Sequence, residues 1–435
     1  MSTINRLQRL TGDRSSKQKA SPHADEISKL RTRIESIMSR RRVATVTQPS
    51  APYGSPLALR DVIEGEEVEN DHGKFFIAHG FHPASSHYGR RRIGEISDLD
   101  MNAAALLANI PELASLNCTD ALFLDTETTG LAGGTGTLAF LIGLGWFENE
   151  SFVTRQIFAR DFSEERASLG FLLEMARDKV FIVTFNGKAF DVGLLSTRFI
   201  LNRLPDHLAG MPHLDLLHPS RRLLGHRLDN NRLMTLEREI LGIYRDSDIP
   251  GSEIPQRYFD WLRYRDARFM ADVFEHNRLD VVSMAILTLH LAEMLKFDYD
   301  ITTAKHFDLL AASRLFLDRG DPSGAGKILE SLIDLEKSAV AFEARRMLSL
   351  IYKRSGRWSD AVRIWELILA DDPGNFFAVA ELAKWFEHKC HDFKKASDIV
   401  SKALSLPYFK TKAEKEALDH RVQRLKGRAA HIQTE

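Results

Sequence analysis

The stretch Leu122-Phe123-Leu124-Asp125-Thr126-Glu127-Thr128-Thr129-Gly130 constrains the fold more than any other in the chain. The apolar run from Ala121 to Leu124 reads as a buried strand, and it ends in two carboxylates one residue apart where Thr and Gly turn the backbone. Side chains alternate along a strand, so Asp125 and Glu127 share a face. Two acids on one side of a strand end repel each other and are costly to desolvate, which calls for a cation between them. A divalent metal is the simplest candidate.

At 435 residues the chain is long enough for two or three domains, and 44% apolar with 27% charged residues is ordinary for a soluble globular protein. The net charge of −1 decides nothing about nucleic acid, but residues 1–42 hold 11 Lys/Arg against 4 Asp/Glu, including Arg40-Arg41-Arg42. A second basic run, Arg90-Arg91-Arg92, is either a solvated run or a phosphate track. Cys118 and Cys390 lack ligand-like spacing, so they suggest neither a disulfide framework nor a zinc site, and two free thiols in a reducing compartment are expected. The most apolar stretch, Leu138 to Phe147, is interrupted by glycines and too short to cross a bilayer, and the N-terminus lacks a signal-peptide core. A cytoplasmic protein with no membrane partner is expected.

Residues 1–60 read as a basic, largely disordered arm with a helix over 24–42, and residues 61–116 as an accessory segment. Within the latter, Lys74 to Ala78 and Gly89 to Ile93 are candidate strands of a small hairpin, and Met101 to Leu107 a helix. Further strands are expected at 138–147, 152–158, 180–185 and 213–217, with helices at about 161–176, 190–203, 233–241, 255–263 and 267–295. Residues 304–410 are helical and repetitive: Ala325, Ala361 and Ala396 recur at spacings of 36 and 35. Leu348, Tyr352, Ala361, Trp365 and Pro373 match a tetratricopeptide pattern, with Phe316 and Glu387 at the Tyr position of the other repeats. A basic helical tail, 411–435, follows.

Two further acids stand out. Asp191 opens a helix after Thr184-Phe185-Asn186-Gly187-Lys188-Ala189-Phe190, and Asp280 follows His276 by four residues, about one 5.4 Å turn along the same helix face. An Asp-x-Glu on the first strand, an Asp opening a middle helix and an Asp on a late helix resemble the DEDD exonucleases of the RNase H-like superfamily. Several segments are similar to the bacterial YprB family: 133–147, 186–191, His213-Leu214-Asp215-Leu216, 233–242, Ile249-Pro250-Gly251 with Pro255, and His276-Asn277 with Asp280.

The resemblance implies that Asp125, Glu127, Asp191 and Asp280 hold two Mg²⁺ or Mn²⁺ ions, a hard-oxygen set suited to either metal. His276, at the spacing where one familiar subgroup has Tyr, would orient or deprotonate the attacking water. Asn186, Lys188 and Asn277 are candidates for contacting the nucleic acid, and His213 with Asp215 for substrate contact or an auxiliary ligand pair.

The expected architecture is an α/β RNase H-like domain over 117–298, a mixed five-stranded sheet flanked by helices, followed by an all-α tetratricopeptide-like domain over 304–410. The expected function is a metal-dependent nuclease, a 3′-to-5′ exonuclease acting on a single-stranded RNA or DNA end, with a protein partner on the repeats. The alternative is a non-catalytic scaffold that binds nucleic acid or protein. A phosphatase using paired aspartates fits less well, because Glu127 occupies the second acid position.

Overall fold

The computed structural model describes residues 54–130, 136–148, 151–246, 248–296, 305–406 and 411–432. The expected helix at 24–42, most of the basic arm and residues 131–135, which follow Gly130, lie outside the described residues.

In chain order the first part contains β1 (Gly65–Asn70), β2 (Gly73–His82), β3 (His87–Tyr88), β4 (Arg91–Arg92), α1 (Met101–Ala108), β5 (Ala121–Thr128), β6 (Ala139–Glu148), β7 (Ser151–Phe158), α2 (Glu165–Ala176), β8 (Phe181–Thr184) and α3 (Asp191–Leu201). Then come β9 (His213–Asp215), α4 (Leu217–Leu224), α5 (Leu233–Leu236), a wide turn over Glu237–Leu241, α6 (Ile254–Tyr264) and α7 (Arg268–Glu293). The main sheet runs β1-β2-β7-β6-β5-β8-β9, parallel where β5, β8 and β9 adjoin and antiparallel elsewhere.

The sheet thus has seven strands where five were expected. β5 to β9 are the five legible runs; the hairpin β1–β2 extends them by pairing β2 with β7. Lys74 to Ala78 therefore pairs with β1 and not with the Gly89 to Ile93 segment, whose Arg91–Arg92 pair with His87–Tyr88. Glu66, Glu67 and Glu69 on β1 obscure its strand pattern, and such charges also blunt an exposed sheet edge. The Arg90-Arg91-Arg92 run is engaged within the fold: Arg90 N–H donates to the Leu241 carbonyl at 2.9 Å, Arg91 pairs with Glu95 and Glu293, and Arg92 with Glu95.

Alternation along β5 sorts its side chains between two layers. Leu122 and Leu124 pack with Leu169, Leu172, Leu195 and Phe199 of α2 and α3, whereas Ala121 and Phe123 pack with α1 and α7 on the other face. Burial on both faces explains why the strand reads as a continuous apolar run. The β5–β6 register slips between Glu127 and Thr128, whose partners are Leu141 and Ala139, leaving Phe140 over. The Phe140 ring stacks on Tyr258 of α6 at 4.1 Å.

α7 is the longest helix of this layer, and Val281 through Leu289 are all buried. A helix apolar on all sides must be covered on all sides. One buried cluster accordingly runs from Phe123 and Val183 in the sheet through α7 into the helices that follow.

Those helices are α8 (His306–Asp318), α9 (Pro322–Leu332), α10 (Ala339–Arg354), α11 (Trp358–Asp371), α12 (Phe376–His388), α13 (Phe393–Leu404) and α14 (Lys412–Ile432). Ala325, Ala361 and Ala396 are fully buried on α9, α11 and α13. The array docks through α8, where Asp308 meets Arg227 at 2.7 Å and His226 at 2.9 Å, and where Arg319 donates to the Leu106 carbonyl at 2.9 Å. α14 closes the array with Leu418, Val422 and Leu425, while Arg421, Arg424 and Arg428 converge on the buried Glu387 at 3.2, 2.8 and 3.1 Å. Among the described residues no helix is long and apolar enough to cross a membrane.

Candidate active site

Asp125 and Glu127 leave β5 on the α7 side because they share the parity of Ala121 and Phe123. There the Asn277 side-chain amide donates to Asp125 Oδ2 at 2.8 Å. Gln156 of β7 holds Asn277 in turn, donating to its Oδ1 at 2.8 Å and to the Phe274 carbonyl at 2.8 Å. Asn277 is fully buried, so its polar atoms serve the protein interior. The approach depends on Gly143 of β6, where a Cβ would lie 2.3 Å from Asn277 Oδ1.

Asp191 comes from the start of α3, at the carboxyl end of β8. The Thr126 hydroxyl donates to its Oδ1, so the residue between the two strand acids ties down the third. Asp280 enters from α7 one turn beyond His276. The His276 Nε2 lies 3.7 Å from Glu127 Oε1 and 3.6 Å from Asp280 Oδ2, and Nδ1 lies 2.6 Å from Asp248 Oδ1. The short carboxylate contact assigns the proton to Nδ1 and turns Nε2 towards the acids.

Burial, with Asp280 and Asp191 nearby, holds the Asp125 carboxyl well above the usual carboxylate range. Glu127 is raised in the same way by burial and by Asp125. Asp191 is pushed up to about 6, chiefly by burial. Arg245 is the guanidinium that answers these charges: it pairs with Asp280, with Glu237 and, at 3.1 Å, with Asp248. Burial works against its charge, but Asp280 and Glu237 outweigh that and hold its pKa above the ordinary value.

Among the described residues no group of three or more His, Cys, Asp or Glu side chains is already drawn together as a set that could hold one metal ion. The donors nevertheless suit a divalent cation. Asp125, Glu127, Asp191 and Asp280 offer hard carboxylate oxygens, and their mutual repulsion is what such an ion relieves.

The remaining sequence-expected residues lie around the Asn186 turn. Asp215 accepts from the backbone N–H groups of Asn186 at 2.7 Å, Lys188 at 3.0 Å and Leu217 at 3.1 Å. His213 Nε2 lies 2.7 Å from the Thr184 hydroxyl, which accepts from Gly187 N–H at 3.2 Å. His213 and Asp215 are thus buried against the turn, which presents Lys188 to solvent and carries Asn186 at a positive φ of 69°. Arg245 and Asp248 escaped sequence reasoning because they lie in irregular backbone before α6, and Glu237, in the π-helical turn after α5, because nothing in its own segment supplies the Arg245 it meets. Position was the available signal: Glu237 lies within the 233–242 segment, and Asp248 stands directly before Ile249-Pro250-Gly251.

Residues 122–292 match the family model of the RNase H superfamily. The family B DNA polymerase from the hyperthermophilic archaeon Pyrobaculum calidifontis is similar over 54% of this chain at 18% identity and a TM-score of 0.32, too slight a likeness to carry an argument; the match spans 29% of the polymerase chain. The Bacillus subtilis (strain 168) protein described as uncharacterized protein YprB is 34% identical over 353 residues, covering 79% of this chain and 84% of that protein. With an RNase H-like α/β layer and that extent of identity, the chain belongs to the YprB family.

Proposed function

We propose that the protein is a metal-dependent nuclease that hydrolyses phosphodiesters of RNA or DNA, as a 3′-to-5′ exonuclease. The observation that carries this reading is the convergence of Asp125, Glu127, Asp191 and Asp280, from one strand and two helices, with Arg245 as their permanent cation. These four residues would hold Mg²⁺ or Mn²⁺. When bound, such ions would lower the pKa of a water and offset charge on the scissile phosphate and the leaving oxygen.

The rest of the chemistry falls to the chain's own groups. Asn277 and Thr126 hold Asp125 and Asp191 in place. Asp248 keeps the proton on His276 Nδ1, leaving Nε2 to take a proton from the attacking water. The helical array is tetratricopeptide-like in this reading and recruits a protein or steers the substrate, its buried alanines permitting close helix contact. The test is incubation of end-labelled RNA and DNA with Mg²⁺ or Mn²⁺. Shortening from the 3′ end that is lost in Asp125→Asn supports the proposal; no cleavage, or equal cleavage by the variant, sinks it.

A further inference from the structure

A cleft of about 270 Å³ opens around α5, lined from Asn230 to Asp248 and reaching Arg245, the partner of Asp280. Arg245 and Asp248, the residues that hold Asp280 and His276, are among its lining. Tyr244 and Met234 form its mouth and are 73% and 51% exposed, although Ile243 beside Tyr244 is buried. Arg232 is exposed at the rim with no acidic partner among the described residues. Among the described residues Arg238 pairs only with exposed Glu239, at 2.8 Å, a contact of small net worth.

An exposed aromatic face next to an unpaired guanidinium matches the two things every nucleotide offers, a π-surface and an anion. The size limits the occupant. About 150 Å³ suffices for a benzene-sized ring, so this cleft has room for one base. Inside a duplex the base faces are stacked on their neighbours, and the one free face, at a terminal pair, is two bases wide where the cleft takes one.

We infer that the cleft binds one unpaired nucleotide of a nucleic acid strand, with its base on Tyr244 and its phosphate on Arg232, and so selects single-stranded ends. The location beside the acids rests on the nuclease reading; the binding itself is tested without cleavage. Fluorescence anisotropy of a short end-labelled single strand and of the matching blunt duplex is measured with Ca²⁺ in place of Mg²⁺. Tyr244→Ala weakens single-strand binding roughly 5- to 150-fold, the range of one lost aromatic–base stack, while Tyr244→Phe retains it. Arg232→Ala weakens it too and lowers the salt slope by about 0.7. Duplex binding is unchanged by either, and thermal unfolding midpoints match the wild type because both side chains are exposed.

Single-strand binding by Tyr244→Ala equal to wild type, an equal loss in Tyr244→Phe, or equal losses for strand and duplex each overturn the inference. An unchanged salt slope in Arg232→Ala overturns the phosphate placement. The two readings fail separately: a chain that needs Tyr244 to bind a strand but never cleaves it loses the nuclease reading alone. One that needs Asp125 to cleave but ignores Tyr244 loses the cleft alone.

Discussion

Two buried ionic clusters in this chain have opposite imbalances. In the helical array one carboxylate, Glu387, with no exposed side-chain surface, receives three arginines of α14 whose side chains are 20%, 39% and 50% exposed. Beside the sheet Arg245 answers Glu237, Asp248 and Asp280, and Asp125, Glu127 and Asp191 lie close to them. The first cluster is over-compensated by its own chain, and its excess charge reaches water. The second carries an excess of negative charge where water is scarce, which raises the proton affinity of its acids. A buried charge satisfied from within is architecture; one left in deficit is a place for something from outside.

Neutralising one acid in each cluster should therefore have opposite consequences. Asp125→Asn lowers cleavage by more than about 100-fold, the upper end of what loss of a contact supporting a metal site costs, yet raises the unfolding midpoint of the metal-free chain by removing a repelled carboxylate. Glu387→Gln leaves cleavage intact and weakens the α14 contact by about 1.5–3 kcal/mol, read as faster hydrogen exchange over 412–432. A metal-free Asp125→Asn chain that melts lower than wild type, or a Glu387→Gln chain that loses cleavage, would break the comparison.

Asp248→Ala frees the imidazole and lowers cleavage about 10- to 100-fold; Asp248→Asn, which keeps an acceptor for Nδ1–H, costs less. The nitrogen chemical shifts of His276 report the same change without turnover: Nδ1–H in wild type, a mixture in the alanine variant. Equal cleavage losses in both variants would remove the orienting role.

The smallest effect is the slope of stability with pH. The Asp191 value of about 6 lies above the ordinary carboxylate, so its contribution is full below about pH 4 and is lost as pH rises through 6; Asp125 and Glu127 continue the loss further. His82, His213 and His290, each held down to about 4 by burial and nearby cations, act in reverse: their contribution is full above about 6.5 and is lost as pH falls through 4. The midpoint difference between Mn²⁺ and EDTA should therefore be larger at pH 8 than at pH 5, and equal differences would separate the acids from metal binding.

The strand acids were legible because alternation needs no tertiary information: Asp125 and Glu127 had to follow Ala121 and Phe123 onto one face. The coarse extents of α3, α6 and α7 were legible from apolar spacing. β1 was hidden because an acidic edge strand lacks the expected alternation, and its place in the sheet depends on β2 pairing with β7, about 76 residues distant. Arg245 and Asp248 were hidden because their roles exist only once irregular backbone is folded over α7. Glu387 looked like a poor repeat residue until α14 supplied its arginines.

Asp280 sits immediately before the nine-residue stretch of α7 that is buried on every side, and His276 one turn earlier. That stretch has no slack, since close-packed interiors transmit a shift instead of absorbing it. α7 therefore works as a ruler. Its markings are read at the acids, but its zero is set by Val282, Ile286 and Leu289. Substitutions that change volume there alter the spacing of Asp280 from Asp125 without touching substrate, so drift in the shared core of the sheet and the helical array is also drift in the geometry of the site.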